Sequence, residues 1–596
     1  MKTFSAVVIF YAVNLAYFYL WLLPSIGFRI SAKCGNIWSC SRHLKQTWLH
    51  YPIDTSDGQW RDFRGSMWLL WACLTISAAT YFCIRRLFTR DSGAFFTKSQ
   101  RAIVHTLSRL TFGAVFLLAQ HGYHSLIVIL LAIVSFVIAK LLQRSKFSVP
   151  AVWIYATFIL LFKESYRIKH YPSLFFLKPI FDRSYGGLYS WQLPANFLIL
   201  RLISFSLDYK TACIRDNSTK SGKNNTVRLM NADSMQQSND ATAAVTIIPT
   251  ASHLGIPVHA HALSELELVS NCLQLPDYSF LNFSVYVLYA PLYMAGPIIT
   301  FDDFMRSSLG KYSKEERDST GDEEKDNDHE ENQELSVPWM YGCRWLLCFL
   351  LMETLSSFFP LFAVLNSGLF FNLNVAEMAA ATYLTLKLMW LKFLLLWRFF
   401  RLWALCDGIA APENMLRCVS NNYSLEQFWK GWHASFNKWI VTYLYLPLGG
   451  RNNRILSVWA VFFFVAVWHD IELKLLLWGA LNSAFYIIEV LAKRVSRTKQ
   501  MQNLSPALLH LIQSVSGAFY IMVLIAVNLL GYAVGVEGLS SIGQKLMTSD
   551  GLKVLAVAFY FLTVGTSLMI FLEHMSCPLS KMNCNYKVHT TKFKFE

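Results

Sequence analysis

Apolar stretches of membrane-spanning length recur along almost the whole of this chain, and no other feature limits its possible folds so severely. Ser5 to Phe28, Ser66 to Cys83, 124 to 142, Ala379 to Phe400, Leu473 to Val490 and 551 to 572 each come close to the roughly 20 residues a helix needs to cross a hydrocarbon core. Lipid offers no partner to a backbone amide, so such runs must satisfy themselves as helices. With 54% hydrophobic and 15% aromatic residues among 596, the chain reads as an all-α polytopic membrane protein and not as a water-soluble enzyme. The first run lacks a small-residue cleavage site and is read as a membrane helix, not a signal peptide.

The formal charge of +15 sits mainly in short loops beside the apolar spans. Arg85, Arg86, Arg90, Lys98 and Arg101 follow the second span, and Lys140, Arg144 and Lys146 follow a later one. Positive-inside bias accounts for them, places the N-terminus in the cytosol, and removes nucleic acid as a partner. The 12 cysteines show no CxxC and no metal-ligand spacing. Cys34 and Cys40 share a loop expected on the lumenal side, where pairing and free thiols both remain open. In the same loop the clusters Asp54 to Asp57 and Arg61 to Arg64 read as solvated turns or as the cover of a mouth.

Polar insertions punctuate this single membrane domain of 1–596. Residues 210–277 are rich in Ser, Asn, Thr and Gln and are expected to be mostly disordered, 309–336 form an acidic tract, and 574–596 a basic tail. Residues 163–191 read as interfacial pieces. Asn196 and Arg201 lie within an apolar helix and suggest an interhelical hydrogen bond and snorkelling. Pro291 and Gly296-Pro297 must break the segment from Tyr278 to Thr300, which lipid tolerates only where the break packs on protein or lines a cavity.

Tyr423 to Asp470 carries two histidines, His433 and His469, separated by 36 positions (469 − 433). Ser424 and Gln427 fit a capping box, and Phe428, Trp429, Trp432, Phe436, Trp439 and Tyr443 recur at helical spacing. The spacing predicts one amphipathic helix with Lys430, His433 and Asn437 on one stripe, ended by Pro447 and Gly449-Gly450. Ile455 to Trp468 is apolar and uncharged, so His469 falls in or near lipid. An ionisable group there is a functional site or an interfacial cap, and the residues alone leave both open. Asp470 reads as the N-cap of the following helix.

FWKGWHASFNKWIVTYLYLPLGG with AVWHD resembles the signature of the membrane-bound O-acyltransferase superfamily (MBOAT). YPIDTSDGQWRDFR, WQLPANFLILRLISFSLDY, YAPLYMAGPIITFDDF and LKFLLLWRFFRLWALCDGIAAPENMLRCVSNNYS extend the likeness to its fungal glycerol-uptake branch, relatives of Hedgehog acyltransferase. Counting apolar segments along the chain gives roughly 11–13 membrane-embedded helices, and the resemblance implies that they surround a central tunnel or chamber. It also implies His469 and His433 as the active-site pair. Two residues depart from other branches: Asp470 where many have Gly, and His433 where several have Asn or Asp.

The activity implied is transfer of a long fatty acyl group from acyl-CoA, a co-substrate and not a cofactor, to a lipid hydroxyl. His469, with an unperturbed pKa of about 6.5, would act as general base. His433 would orient the acceptor or hydrogen-bond the thioester oxygen. Asn437, Trp432 and Trp468 are candidate substrate-lining residues. Arg451 and Arg454 are candidates for the CoA phosphates, and Arg398 and Arg401 for phosphate or headgroup oxygens. The resemblance further implies the lyso form of a glycosylphosphatidylinositol (GPI) anchor as acceptor, in a multi-pass protein of the endoplasmic reticulum membrane or also the plasma membrane. A glycerol or polyol carrier, a lysophospholipid acyltransferase and a protein acyltransferase of the Hedgehog type stand as the alternatives.

Overall fold

The computed structural model describes residues 2–46, 51–89, 98–168, 187–220, 273–309 and 330–576. Seven helical stretches within them are long and apolar enough to cross a membrane: Val7–Asn36, Met67–Arg86, Ala102–Leu142, Val375–Cys406, Leu473–Val495, Pro506–Tyr532 and Ser549–Glu573. The larger number expected from sequence also counted segments that charges or breaks interrupt.

The chain begins with α1 (Lys2–Ala16), which passes through a π turn into α2 (Leu23–Asn36). A disulfide joins Cys34 to Cys40, resolving the open question in favour of pairing. Disulfides persist on the oxidising side of a membrane, in agreement with a lumenal loop. The loop continues as an antiparallel hairpin, β1 (Leu44–Gln46) and β2 (Pro52–Asp54), with Leu44 opposite Asp54. Asp57 then caps α3 (Gly58–Gly65) by accepting the Trp60 amide at 2.7 Å. Asp54 is buried and accepts the Ala363 amide at 2.8 Å. The acidic cluster is therefore docked on the protein instead of forming a solvated turn.

Four helices follow, α4 (Met67–Thr89), α5 (Lys98–His121), α6 (Ser125–Leu142) and α7 (Ser148–Ile168). Most of the expected interfacial segment, 169–186, lies outside the described residues. Next, α8 (Gln192–Lys220) runs past position 210, so the polar insertion starts as helix, and 221–272 lie outside the described residues. The segment containing Pro291 breaks as expected, into α9 (Phe280–Leu288) and α10 (Ala290–Tyr293). Arg201 of α8 explains how the break survives without water: its guanidinium donates to the carbonyls of Tyr286 (3.0 Å), Val287 (2.8 Å) and Leu292. It is buried and does not snorkel, because carbonyls freed by the break need donors and a planar five-donor group supplies several at once.

The acidic tract 310–329 lies outside the described residues, and α11 (Glu330–Phe358) already begins inside the expected insertion. It stops before Pro360, and a separate short helix, Leu361–Asn366, follows. The long α12 (Val375–Cys406) is fixed at its start by an Asn374–Glu377 capping box and at its end by a buried ion pair, Arg109 with Asp407 at 3.0 Å. Beyond it come α13 (Leu425–Gly431), α14 (Ala434–Ile440) and α15 (Arg454–His469). Three long helices follow, α16 (Leu473–Val495), α17 (Pro506–Tyr532) and α18 (Ser549–Ser576), with a shorter helix, Gly535–Leu546, between the last two. A three-residue turn folds α16 back along α15, and Gly479 permits the close approach, since a Cβ there would lie 2.9 Å from the Phe462 carbonyl oxygen. The basic tail from 577 lies outside the described residues.

Candidate active site

His469 is the last residue of α15, and a side-chain hydrogen bond from a neighbouring helix holds its carbonyl. Asn196 of α8 donates its amide to the His469 carbonyl at 3.4 Å, while its own carbonyl accepts the Trp468 indole N–H at 2.9 Å. Lys163 of α7 donates to the Asn196 side chain at 3.1 Å and stands 3.8 Å from Asp470. Asp470 is extended and closes α15, whereas the N-cap of α16 is Glu472; the three-residue turn leaves Asp470 too early to cap. The His469 ring is walled edge-on by Trp468, Tyr532 and Trp478, with centroids 4.8, 5.6 and 6.4 Å away. Among the described residues no group hydrogen-bonds its ring nitrogens, and the ring lines a cavity.

Ser424 caps α13 as expected, accepting the Gln427 amide at 3.3 Å. The single helix expected through residue 433 does not form. The chain breaks at Trp432 and restarts at Ala434, with His433 in the left-handed conformation (φ 49°, ψ 50°), the one non-glycine residue with positive φ among those described. The loop after α12 causes the break by supplying rival hydrogen bonds. Met415 pairs with Trp432, the Asn414 carbonyl accepts the Ala434 amide at 3.0 Å, and the Asn414 side chain accepts the Ser435 amide at 3.2 Å. Such a conformation costs roughly 1–2 kcal/mol for an L-residue and marks sites where the surroundings dictate the backbone. His433 is 7% exposed, Nε2 has no protein partner among the described residues, and its ring stacks on Trp397.

Both histidines border one cavity of about 1950 Å³, above the size of an ordinary small-ligand pocket. Trp468 lies between them, its ring 6.5 Å from that of His433 and 4.8 Å from that of His469. Asn437, Trp432, Arg451 and Arg454 line the same space. Arg398 and Arg401 do not: they turn to Glu413 (3.4 and 3.6 Å), and Arg401 also donates to the Ala411 carbonyl at 2.8 Å. The Glu413 carboxylate draws both guanidinium groups out of reach of the cavity.

Opposite His469, at the start of α15 and the end of α16, the cavity is cationic, with Arg454, Lys493, Arg494 and Arg497 joined by Lys430 and Arg451. From Arg454 to His469 the helix rises about 22 Å. Glu426 ties this end together, accepting from Lys430 and Lys493 at 2.9 Å each and lying 3.9 Å from Arg454. Burial alone would raise its pKa, but the hydrogen bonds and charges of the two lysines outweigh it and hold the carboxyl at about 2. Another part of the lining is polar: Asp57 and Gln59 meet Lys392 at 2.8 and 3.1 Å. Sequence reasoning did not single out Trp397, Lys163 and Tyr532, which reach the site from distant helices, or Glu426, which lies on α13 itself.

The MBOAT family model, for the membrane-bound O-acyltransferase family, matches residues 62–534. The membrane-bound O-acyltransferase GUP1 of Saccharomyces cerevisiae is 31% identical over 534 residues, covering 89% of this chain and 84% of that protein. The gup1 acyltransferase of Schizosaccharomyces pombe is 31% identical over 519 residues, 86% of this chain and 79% of that protein. The mouse protein-cysteine N-palmitoyltransferase HHAT is 25% identical over 253 residues, 41% of this chain and 48% of its own.

Proposed function

Since the chain belongs to the membrane-bound O-acyltransferase family, we propose that this multi-pass membrane O-acyltransferase uses His469 and His433 to move a fatty acyl group from acyl-CoA to a lipid hydroxyl. The observation that carries the proposal is the sharing of one cavity by both histidines, with a cationic end about 22 Å along α15 from His469. An extended phosphopantetheine arm spans such a distance. With nucleotide phosphates on Arg451, Arg454 and their neighbours, the thioester reaches the histidines.

In the reaction, a neutral His469 imidazole accepts the proton of the acceptor hydroxyl while the oxygen attacks the thioester carbonyl. The His433 ring N–H donates to the carbonyl oxygen as it gains charge. Collapse of the adduct breaks the C–S bond, and the CoA thiolate takes the proton from His469, leaving ester and thiol. Aromatic walls from Trp468, Trp478 and Tyr532 keep water from competing for the thioester.

The acceptor we favour is the lyso-phosphatidylinositol part of a GPI anchor, with a long-chain acyl-CoA as donor and the endoplasmic reticulum as the membrane. The resemblance of the sequence to the fungal glycerol-uptake branch and a polar part of the cavity lining, fit for a hydroxyl-rich headgroup, support this reading. Purified His469→Ala, eluting like the wild type, should transfer labelled acyl chains to lysophosphatidylinositol or lyso-GPI protein at least about 100-fold more slowly. Transfer at the wild-type rate would remove His469 from the chemistry.

A further inference from the structure

Five lysines line the cavity, and four have carboxylate partners. Lys392 meets Asp57 at 2.8 Å, Lys163 stands 3.8 Å from Asp470, and Lys430 and Lys493 meet Glu426 at 2.9 Å each. The fifth, Lys387, has no carboxylate within ion-pairing distance among the described residues. Its ammonium donates to the Ser420 hydroxyl at 2.5 Å and lies 4.7 Å from the centre of the Tyr383 ring, which leaves two N–H bonds open to the cavity.

Snorkelling does not account for this charge. Lys387 stands 12 residues from the start of α12 and 19 from its end, about 18 and 28 Å along the axis, and a lysine side chain reaches neither. An unpaired cation in a membrane span is expensive and is retained where something anionic meets it. The cavity that Lys387 lines is largely apolar, with Leu386 and Met389 beside it on α12 and Ile521, Leu524 and Ile525 contributed by α17. A cation set among apolar side chains matches a lipid tail joined to a phosphate.

We propose that Lys387 holds the phosphodiester oxygen of a lipid, so that the cavity selects anionic over uncharged single-chain glycerolipids. The inference deepens the acyltransferase reading and rests on it only for the identity of the ligand as acceptor. The phosphodiester can belong to the acceptor itself or to a two-chain phospholipid of the bilayer.

The test measures binding and turnover of lysophosphatidylinositol and of monoacylglycerol in non-ionic detergent, with two-chain phosphatidylinositol as competitor. Wild type should bind lysophosphatidylinositol at least about tenfold more tightly than monoacylglycerol, a preference that Lys387→Met abolishes and Lys387→Arg keeps. Competition by the two-chain lipid would assign the site to bilayer phospholipid, and its failure to compete would assign it to the acceptor; either supports the proposal. Equal binding of charged and uncharged lipids by wild type overturns it, whatever the variants do, and so does a preference that survives in Lys387→Met. Because binding is read directly, a protein that selects the anionic lipid yet transfers no acyl group would refute the enzymatic reading alone.

Discussion

The imidazole of His433 lies face to face with the indole of Trp397, ring centroids 4.4 Å apart and planes 17° from parallel. The stack locks the ring while the left-handed backbone aims it, so orientation comes from α12 and from the loop that follows it. Asparagine adopts the left-handed conformation more readily than other non-glycine residues and offers an amide donor. His433→Asn should therefore keep a measurable fraction of turnover, about 1–10%. His433→Val should lose turnover and about 1–2 kcal/mol of stability, because a β-branched residue resists positive φ. Turnover and thermal midpoint, read on the same preparations, separate the two effects.

Asn196 holds the last residue of the helix bearing the proposed base, through a carbonyl and not through the ring. It is a positioning residue. Asn196→Leu removes the link to Lys163 as well and should lower kcat about tenfold with little change in acyl-CoA KM, since misplacement acts on the chemical step. Asn196→Gln reaches further by one methylene and should recover part of the loss. Equal loss in kcat and in stability for both variants would mark the residue as structural only.

The spans and the break at Pro291 were legible because each depends on local composition, a run of apolar residues or a missing amide, whereas the pairing of His433 with His469 came from the family resemblance. The kink at His433 was not legible. Trp432, Phe436 and Trp439 keep helical spacing across it, and what interrupts the helix is Asn414, nineteen positions upstream (433 − 414). Arg398 and Arg401 look equally suited to phosphate in sequence; only the fold shows Glu413 beside them. Likewise Arg201 reads as an interfacial arginine until the carbonyls released by the α9–α10 break appear within its reach.

The Cys34–Cys40 disulfide closes a short loop next to the hairpin and α3, whose Asp57 and Gln59 border the polar part of the cavity. Chain entropy assigns a bridge of this sequence separation, 6 residues, about 2 kcal/mol. Cys34→Ser with Cys40→Ser should lower the unfolding midpoint and raise the acceptor KM a few-fold while leaving the acyl-CoA KM unchanged. A shift confined to acyl-CoA would put the loop at the wrong end of the cavity.

Glu426 sits among Lys430, Lys493 and Arg454 outside the membrane spans and titrates at about 2 where an ordinary glutamate titrates at 4.5. A depressed carboxylate stabilises the fold fully above its unfolded value and loses that contribution as pH falls toward the folded one. Wild type should thus exceed Glu426→Gln in stability by on the order of 1 kcal/mol at neutral pH, and the gap should close as pH drops below about 4.5. The same substitution removes a carboxylate that partly neutralises Lys430, Lys493 and Arg454, of which Lys493 keeps its second partner, Glu489, at 2.7 Å. Glu426→Gln should therefore bind free CoA more tightly at low ionic strength, by about 3- to 10-fold, and lose the difference in high salt. Arg451→Ala, which removes a cation without an acidic partner among the described residues, should move CoA affinity the opposite way. Isothermal titration with CoA at two salt concentrations reads both, and a Glu426→Gln affinity at or below wild type would show that the carboxylate shapes the cationic end more than it screens it.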